Sequence, residues 1–211
     1  MPRQSRKIRP SGRRHQPHGQ GELRIIGGDW RSRVLRFPDE GGVRPTPART
    51  RETLFNWLQF HLPGSHCLDL FSGSGVLGLE ALSRGADRVT FVDHTPALAR
   101  ALRDNLRLLK SDRGDVFCED VQAFLQQPAD RAMDILFMDA PFRQGWLETL
   151  VPLMAENGWV APGSRIYLEY ESDRAAPAVP ERWHLHRSKT AGQVTYALYQ
   201  VSEHQAAGRN E

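Results

Sequence analysis

A glycine-rich loop beside an acidic residue is the part of this 211-residue sequence that most clearly suggests chemistry. The stretch CLDLFSGSGVLGLEAL (67–82) places Gly73, Gly75 and Gly78 in the spacing G-x-G-x-x-G. Glycines at these positions let the chain turn sharply from a strand into a helix and let a ligand approach the backbone closely. Asp69 lies four residues before the first glycine, so the loop combines close ligand approach with a negative charge.

The charge of Asp69 separates two classes of ligand that such a loop can hold. A dinucleotide would bring a pyrophosphate to the loop, where a carboxylate repels it. S-adenosylmethionine would bring an α-ammonium and a sulfonium, which a carboxylate attracts. The sequence therefore favours the methyl donor, although Asp69 could instead serve only to cap the turn after its strand.

Two further acidic residues follow later strands and extend the predicted cofactor site. Asp93 ends the second strand, where an acidic residue can accept hydrogen bonds from both ribose hydroxyls. Asp120 follows the third strand and could meet the adenine amine, with the backbone N–H of Val121 beside it, but an N-cap role explains Asp120 equally well. The predicted cofactor contacts are Asp69, Phe71, Gly73, Ser74, Gly75, Asp93, Asp120 and Val121.

The fourth strand ends in the tetrad Asp139, Ala140, Pro141 and Phe142, which we predict to be the catalytic site. Asp139 and the carbonyl of Ala140 can each accept a hydrogen bond from an exocyclic amine, and Pro141 biases the residue before it toward an extended conformation. The ring of Phe142 can stack on a flat base, an interaction worth roughly 1–3 kcal/mol. A simple exit from the strand with a core phenylalanine is the alternative.

These groups must be positioned by alternating strands and helices. The segments HCLDLF, RVTFVD, DVFCED, AMDILFMD and RIYLEYE have the composition of buried strands, and helical patterns separate them. Such alternation indicates right-handed βαβ units and a parallel sheet covered on both faces. RWHLHRSK and QVTYALYQV then indicate a hairpin. We predict a Rossmann-like, doubly wound, mostly parallel sheet of seven strands with an antiparallel C-terminal hairpin at a reversed edge.

The N-terminal quarter is organised differently. Residues 1–21 carry six basic residues, no acidic ones and few apolar ones, so we expect a disordered arm. Residues 22–45 are predicted to form a small β-hairpin extension, with strands at Leu23–Ile26 and Arg33–Phe37. The methyltransferase-like domain would span 46–201, starting with Thr46 as a helix N-cap before Pro47, and 202–211 would be a frayed tail.

Charge is distributed unevenly along the chain. Residues 1–51 carry 13 basic and 4 acidic residues, a net charge of +9, whereas residues 52–211 carry 15 basic and 21 acidic residues, a net charge of −6. A basic end suits phosphates, so nucleic acid is the expected partner, with a merely solvated basic surface as the alternative. The predicted RNA contacts are Arg24, Trp30, Arg31, Arg33, Arg36, Arg44, Arg49 and Arg51.

Several classes of protein are disfavoured. No apolar run approaches the roughly 18 residues that span a bilayer, and no apolar stretch follows the N-terminal basic residues as in a secretory signal. Cys67 and Cys118 lack metal-like spacing and both fall in predicted buried strands, so we expect reduced thiols. His184 and His186 lack a third ligand. We therefore expect a cytoplasmic protein without a metal. We also expect a monomer, although nothing in the sequence fixes the oligomeric state.

Taken together, the motifs resemble those of the RsmD family of 16S rRNA guanine-N2 methyltransferases, class I enzymes that use S-adenosylmethionine. The resemblance covers about residues 22–201. It is carried by LRIIGGDWRSR, RPTPARTRETLFNWL, CLDLFSGSGVLGLEALSRGA, DAPF, ENGW and KTAGQVTYALYQ. The glycine loop and DAPF are shared with amino-methylating enzymes generally, whereas the first two segments point to this family.

The resemblance implies methyl transfer to the exocyclic N2 of a specific guanine in 16S rRNA, within the small ribosomal subunit or an assembly intermediate. One departure is Ala140, where the family usually has proline; the backbone carbonyl is retained, so we expect activity to be retained. An amino-methyltransferase acting on adenine N6 or cytosine N4, a nicotinamide oxidoreductase and a non-catalytic ribosome assembly factor are the alternatives.

Overall fold

The computed structural model describes residues 19–40 and 45–203. In chain order the elements are β1 Gln20–Arg24, β2 Val34–Pro38, α1 Ala48–Leu58, β3 His66–Leu70, α2 Val76–Ser83, β4 Arg88–Val92, α3 Pro96–Leu108, β5 Gly114–Phe117, α4 Val121–Gln126, β6 Ile135–Met138, α5 Trp146–Glu156, β7 Arg165–Glu171, β8 Trp183–Ala191 and β9 Val194–Val201. Residues 1–18, 41–44 and 204–211 lie outside this description, and with them most of the predicted arm, Arg44 and most of the tail.

Seven strands form one sheet in the order β5-β4-β3-β6-β7-β9-β8. The first five of these strands run parallel, and β9 pairs antiparallel with both β7 and β8. The predicted mostly parallel sheet with a C-terminal hairpin is confirmed, with one correction. The reversed strand β9 lies inside the sheet, and β8, which runs parallel to β7, forms the edge.

The order of the strands creates the crevice that a site can use. From β3 the chain first builds outward through β4 to β5 and then crosses back to place β6 on the other side of β3. Ligands of such sheets bind outside the carboxyl ends of the strands at this switch point. Asp69 and Asp139 lie near the ends of β3 and β6, so the topology brings them together.

The two faces of the sheet have separate cores. Successive strand residues point to opposite faces, so Cys67 and Phe137 pack with α1, α2 and α3, while Leu68 and Met138 pack with α4 and α5. The central strands β3, β6 and β7 are largely buried on both faces, which explains their near-continuous apolar sequences. Among the described residues, no helix is long and apolar enough to cross a membrane.

The N-terminal hairpin packs into the first of these cores. Leu23, Ile25, Leu35 and Phe37 are buried in the same cluster as the side chains of α1, α2 and α3. Strand β1 also begins at Gln20, inside the predicted arm of residues 1–21. The hairpin is therefore an extension that shares its core with the sheet.

The two cysteines differ in their environment. Both are free thiols, and Cys67 is buried in β3, but Cys118 is exposed just beyond the end of β5. The prediction that both lie in buried strands is wrong for Cys118. Its strand is the outermost of the sheet, with a neighbour on one side only.

Candidate active site

A cleft of about 470 Å³ opens at the switch point of the sheet. The glycine loop and the segment after β4 form one wall, and the tetrad after β6 with the segment before α1 forms the other. Asp69, Asp93 and Asp139 all line this cleft. The structure thus brings together acidic residues that are up to 70 positions apart in the sequence.

The three glycines serve different purposes. Gly73 and Gly75 have positive φ angles of 51° and 76°, and Gly75 is the N-cap of α2. Residues with a side chain rarely adopt positive φ angles, so the turn favours glycine at both positions. Gly78 lies within α2, where an added Cβ would come within 2.2 Å of Cε1 of Phe91. The third glycine therefore lets the helix pack closely on the sheet.

Asp69 is buried at the base of the cleft. Its Oδ2 accepts a hydrogen bond of 2.9 Å from the backbone N–H of Gly78, and no second hydrogen bond to this side chain is found within residues 19–40 and 45–203. Burial, with smaller contributions from Asp139 and Asp93, raises the pKa of Asp69 well above its usual range. A cation in the cleft would offset this cost by favouring the ionised form.

Asp93 fastens the glycine loop to the neighbouring strand. Its Oδ2 accepts a hydrogen bond of 2.8 Å from the N–H of Gly73, and its Oδ1 accepts one of 2.8 Å from the N–H of Thr95. Each carboxylate oxygen can accept more than one hydrogen bond. Asp93 can therefore hold the loop and still receive the hydroxyls of a ribose.

The charge of the cleft wall distinguishes between the two candidate cofactors. Three carboxylates line the cleft, and no lysine or arginine is among its described lining residues. A pyrophosphate would find repulsion and no cationic partner here. The residues present fit S-adenosylmethionine, whose two positive groups outnumber its one carboxylate, better than they fit a dinucleotide.

Other predicted cofactor residues have distinct places. Phe71 and Ser74 line the cleft. Asp120 is exposed, and its Oδ1 accepts a hydrogen bond of 2.9 Å from the N–H of Ala123, so it is the N-cap of α4. Neither Asp120 nor the buried Val121 lines the cleft. A contact of these two residues with adenine stays a prediction.

Asp139 stands at the opposite wall of the cleft, directly after β6. Its Oδ2 accepts a hydrogen bond of 3.1 Å from the hydroxyl of Thr46. Burial raises the pKa of Asp139 to about 6, while the hydrogen bond from Thr46 opposes this shift. The carboxyl is therefore largely ionised at neutral pH but close enough to its pKa to take up a proton.

The sequence predicted Thr46 as the N-cap of α1, but the structure does not place it there. The N-cap position is Pro47, without a side-chain cap, and the helix begins at Ala48. The hydroxyl of Thr46 instead donates to Asp139, since a charged acceptor lies within reach on the same wall of the cleft. Sequence reasoning missed this contact because its two partners are 93 positions apart.

The remaining residues of the tetrad form the outer rim of the cleft. Ala140 is buried, whereas Pro141 and Phe142 are exposed, Phe142 to 40%. All three also line a smaller depression of about 40 Å³ that adjoins the cleft at the tetrad. An exposed aromatic ring between two recesses is well placed to stack on an incoming base.

Glu169 and Tyr167 of β7 are site residues that the sequence analysis missed. The hydroxyl of Tyr167 donates a hydrogen bond of 2.6 Å to Oε1 of Glu169. Burial, together with the nearby charge of Asp139, raises the pKa of Glu169 to about 8. Within RIYLEYE nothing marks this residue as special, because its position depends on which strand pairs with β7.

The predicted RNA-contacting residues separate into two groups. Arg24, Arg31, Arg33, Arg36 and Arg49 are exposed. Trp30 is half-buried against the core, with the guanidinium of Arg113 5.7 Å from the centre of its ring. The four exposed arginines on the hairpin, which we call the hairpin arginines, are Arg24, Arg31, Arg33 and Arg36; the same segment also exposes acidic residues, and Arg36 pairs with Glu22.

Arg51 cannot contact RNA, contrary to the prediction. It is buried, and its Nη1 lies 3.2 Å from Oε2 of Glu80 in an ion pair. Its guanidinium also donates to the carbonyl oxygens of Thr46 and Arg24. A buried guanidinium needs such partners, and here they tie α2, the segment before α1 and the hairpin together.

Within the described ranges, no group of three or more His, Cys, Asp or Glu side chains could hold a metal ion.

The sheet order, the glycine loop and the acidic cleft define a class I, S-adenosylmethionine-dependent methyltransferase. A solved structure, a putative methyltransferase yhhF from Escherichia coli, superposes with a TM-score of 0.82 at 47% identity, over 87% of this chain and 100% of that one. An RNA methyltransferase from Salinibacter ruber in complex with S-adenosyl-L-homocysteine shares the fold at 17% identity, with a TM-score of 0.58. The superposition covers 80% of this chain and 100% of the Salinibacter ruber chain.

Sequence comparisons identify the family more closely. The family described as conserved hypothetical protein 95 matches residues 23–200. The ribosomal RNA small subunit methyltransferase D of Escherichia coli K12 is 48% identical over 86% of this chain and 91% of its own length. Its counterpart in Haemophilus influenzae is 44% identical over 87% of this chain and 96% of its own. The chain belongs to the RsmD family of methyltransferases.

Proposed function

We propose that this protein transfers a methyl group from S-adenosylmethionine to the exocyclic N2 of a specific guanine in 16S rRNA. The observation that carries the proposal is the pairing of an acidic, cation-accepting cleft with Asp139 at its opposite wall. The relatives named ribosomal RNA small subunit methyltransferase D support rRNA of the small subunit as the substrate.

The chemistry follows from the protein groups around the amine. Bound S-adenosylmethionine supplies a methyl carbon on a sulfonium, so that the C–S bond breaks as the C–N bond forms and a neutral thioether leaves. The N2 amine is a weak nucleophile because its lone pair is conjugated with the ring. Asp139 and the carbonyl of Ala140 would accept its two N–H groups and hold it in line for attack.

Asp139 also provides a destination for the proton that N2 loses. As positive charge develops on the nitrogen, the neighbouring carboxylate stabilises it and accepts the proton. A pKa of about 6 suits this role, because most of the carboxyl is ionised at neutral pH and its basicity is higher than that of an exposed aspartate. The described cysteines do not line the cleft.

The surroundings of the tetrad suit a base that has left its stack. Phe142 is exposed at the rim and can replace one stacking neighbour of the guanine. The hairpin arginines, with Arg49, provide cationic side chains for phosphates, so RNA binding should weaken steeply with salt. We further propose that the protein acts in the cytoplasm, as a monomer without a metal, on the small subunit or an assembly intermediate.

The test is to incubate the protein with labelled S-adenosylmethionine and small ribosomal subunits that lack the modification, and then to analyse the nucleosides by mass spectrometry. We expect one N2-methylguanosine in 16S rRNA, and none with Asp139→Asn, which keeps the shape of the side chain but removes its charge. Label in N6-methyladenosine or N4-methylcytidine would contradict the choice of base. Particle binding without transfer would support the assembly factor instead.

A further inference from the structure

Asp139 has a second carboxyl group, that of Glu169, as its neighbour on the adjacent strand. Strands β6 and β7 pair in parallel register with Phe137 opposite Tyr167 and Met138 opposite Leu168. One residue further along, Asp139 and Glu169 therefore lie side by side at the carboxyl ends of adjacent strands, which are about 4.8 Å apart. Each lies two residues beyond a residue of the α1–α3 core, so both side chains share that face of the sheet.

Glu169 is more than nine-tenths buried, with a relative exposure of 6%. Its Oε1 accepts the hydrogen bond from the hydroxyl of Tyr167. Its Oε2 has no hydrogen-bond partner in residues 19–40 and 45–203, and it is not one of the two fully buried side-chain atoms there that lack a partner, so it keeps some exposure. A carboxyl oxygen that is open to a recess and has no partner in the protein is available to accept a hydrogen bond from a ligand.

Glu169 lies beside the tetrad. Glu169 lines the depression of about 40 Å³, together with Ala140, Pro141 and Phe142, the same three residues that line the cofactor cleft. That volume admits a water-sized group rather than a whole ring. It therefore suits the edge of a base whose amine is held by Asp139.

We propose that Glu169 is a specificity-determining residue, whose Oε2 accepts a hydrogen bond from N1–H of the target guanine next to the N2 amine held by Asp139. The inference rests on the proposed function and deepens it by assigning the choice of base to a particular side chain.

The chemistry of base edges explains why a second carboxylate selects guanine. Guanine presents two adjacent donors, N1–H and the N2 amine, whereas adenine and cytosine present a lone pair beside their exocyclic amines. A carboxylate oxygen pairs with the first pattern and repels the second. A site built to hydrogen-bond one group rejects an analogue that lacks it by several orders of magnitude in favourable cases.

The protonation state of Glu169 controls whether the site accepts guanine. The groups that face it are Asp139 from β6, Tyr167 on its own strand and Tyr196, its register partner on β9. Burial and the charge of Asp139 hold the pKa of Glu169 at about 8, and an N–H donor would favour its ionised form. Turnover of guanine should therefore rise with pH toward about 8, because only the ionised carboxyl accepts from N1–H.

The variant Glu169→Gln tests the assignment through base preference. The amide oxygen would take the hydrogen bond from Tyr167, which leaves the amide NH₂ facing the base. That donor opposes N1–H of guanine but matches N1 of 2,6-diaminopurine, which keeps the N2 amine and has a lone pair at N1.

The substrates are small ribosomal subunits reconstituted with ligated 16S rRNA that carries guanine or 2,6-diaminopurine at the target position, once that position has been mapped. We expect the wild type to favour guanine by about 100-fold in kcat/KM, and Glu169→Gln to lower this ratio by about 10-fold or more. A ratio within about twofold of the wild type would overturn the proposal. The ratio does not depend on the folded fraction, so partial misfolding cannot mimic the effect.

Two controls complete the design. Glu181→Gln, the same change at an exposed position outside both recesses, should leave the ratio unchanged. Binding of S-adenosylmethionine to Glu169→Gln, measured by calorimetry, should match the wild type. If the wild type methylates no guanine, the proposed function fails; if it methylates guanine and only the ratio is unaffected, the assignment of Glu169 alone fails.

Discussion

Replacing Thr46 with valine tests whether Asp139 must be ionised for catalysis. The hydroxyl of Thr46 donates to Oδ2 of Asp139 over 3.1 Å and is the hydrogen bond that keeps the pKa of this buried carboxyl from rising further. Valine keeps the branched shape but has no donor. The pKa of Asp139 should therefore rise in Thr46→Val, because the ionised form loses a hydrogen bond and the neutral form loses less.

The size of this effect follows from the strength of the lost contact. A hydrogen bond to a charged group contributes about 1.5–3 kcal/mol, and each pKa unit corresponds to about 1.4 kcal/mol. The pKa of Asp139 should thus move from about 6 to roughly 7–8. At pH 6.5 the ionised fraction would fall from about three-quarters to between roughly a quarter and a thirtieth. Turnover should fall in proportion.

The assay is the pH profile of kcat/KM for methyl transfer by the wild type, Thr46→Val and Thr46→Ser. We expect the loss in Thr46→Val to be largest below pH 7 and to disappear near pH 9, where Asp139 is ionised in both proteins. Thr46→Ser retains the hydroxyl and should follow the wild type. A loss that is equal at all pH values would refute the reasoning, since it would mean that Thr46 acts through shape alone.

Three further changes probe the framework and the tetrad. Gly78→Ala should lower the free energy of unfolding in urea by about 1–3 kcal/mol, because the new Cβ would meet a buried phenyl ring at 2.2 Å; an unchanged midpoint would contradict the packing. Arg51→Met, which breaks the buried pair with Glu80, should cost about 3 kcal/mol in the same experiment, whereas the exposed Arg49→Met should cost less than about 0.5 kcal/mol. Ala140→Pro should keep or raise turnover, because the carbonyl is retained; a restored activity in place of an inactive wild type would show that the natural site has lost its function.

The positions of the acidic residues could be predicted because they depend on a general property of parallel sheets. Asp69 lies near the end of its strand, Asp93 and Asp139 each follow one, and the carboxyl ends of parallel strands meet at one edge. Local sequence is sufficient to locate those strand ends. The predicted sheet and the acidic wall of the cleft therefore needed no knowledge of distant contacts.

The burial of Arg51 had a signal in the sequence that charge composition concealed. Arg51, Leu54, Phe55 and Leu58 recur at helical spacing, so the arginine lies on the apolar stripe of α1. Counting it with the basic N-terminal segment assigned it to RNA. Its partner Glu80 lies on another helix, 29 positions away, and no local pattern indicates that pair.

Glu169 could not have been assigned from the sequence. Its neighbour Asp139 is known only from the pairing of β6 with β7, and the exposure of its free oxygen depends on the shape of the tetrad. The exposed position of Cys118 likewise depends on β5 being the edge of the sheet. Such features arise from strand order, which propensity and periodicity do not encode.

The most direct test of the account is calorimetric titration of the protein and of Asp69→Asn with S-adenosylmethionine and with NAD⁺. Asparagine can still accept the hydrogen bond from Gly78 but carries no charge. We expect the wild type to bind S-adenosylmethionine and not NAD⁺, and Asp69→Asn to bind it about 10–100-fold more weakly, the value of one charge-assisted hydrogen bond. Equal affinity in the two proteins, or preferential binding of NAD⁺, would contradict the claim that the acidic cleft selects a cationic methyl donor.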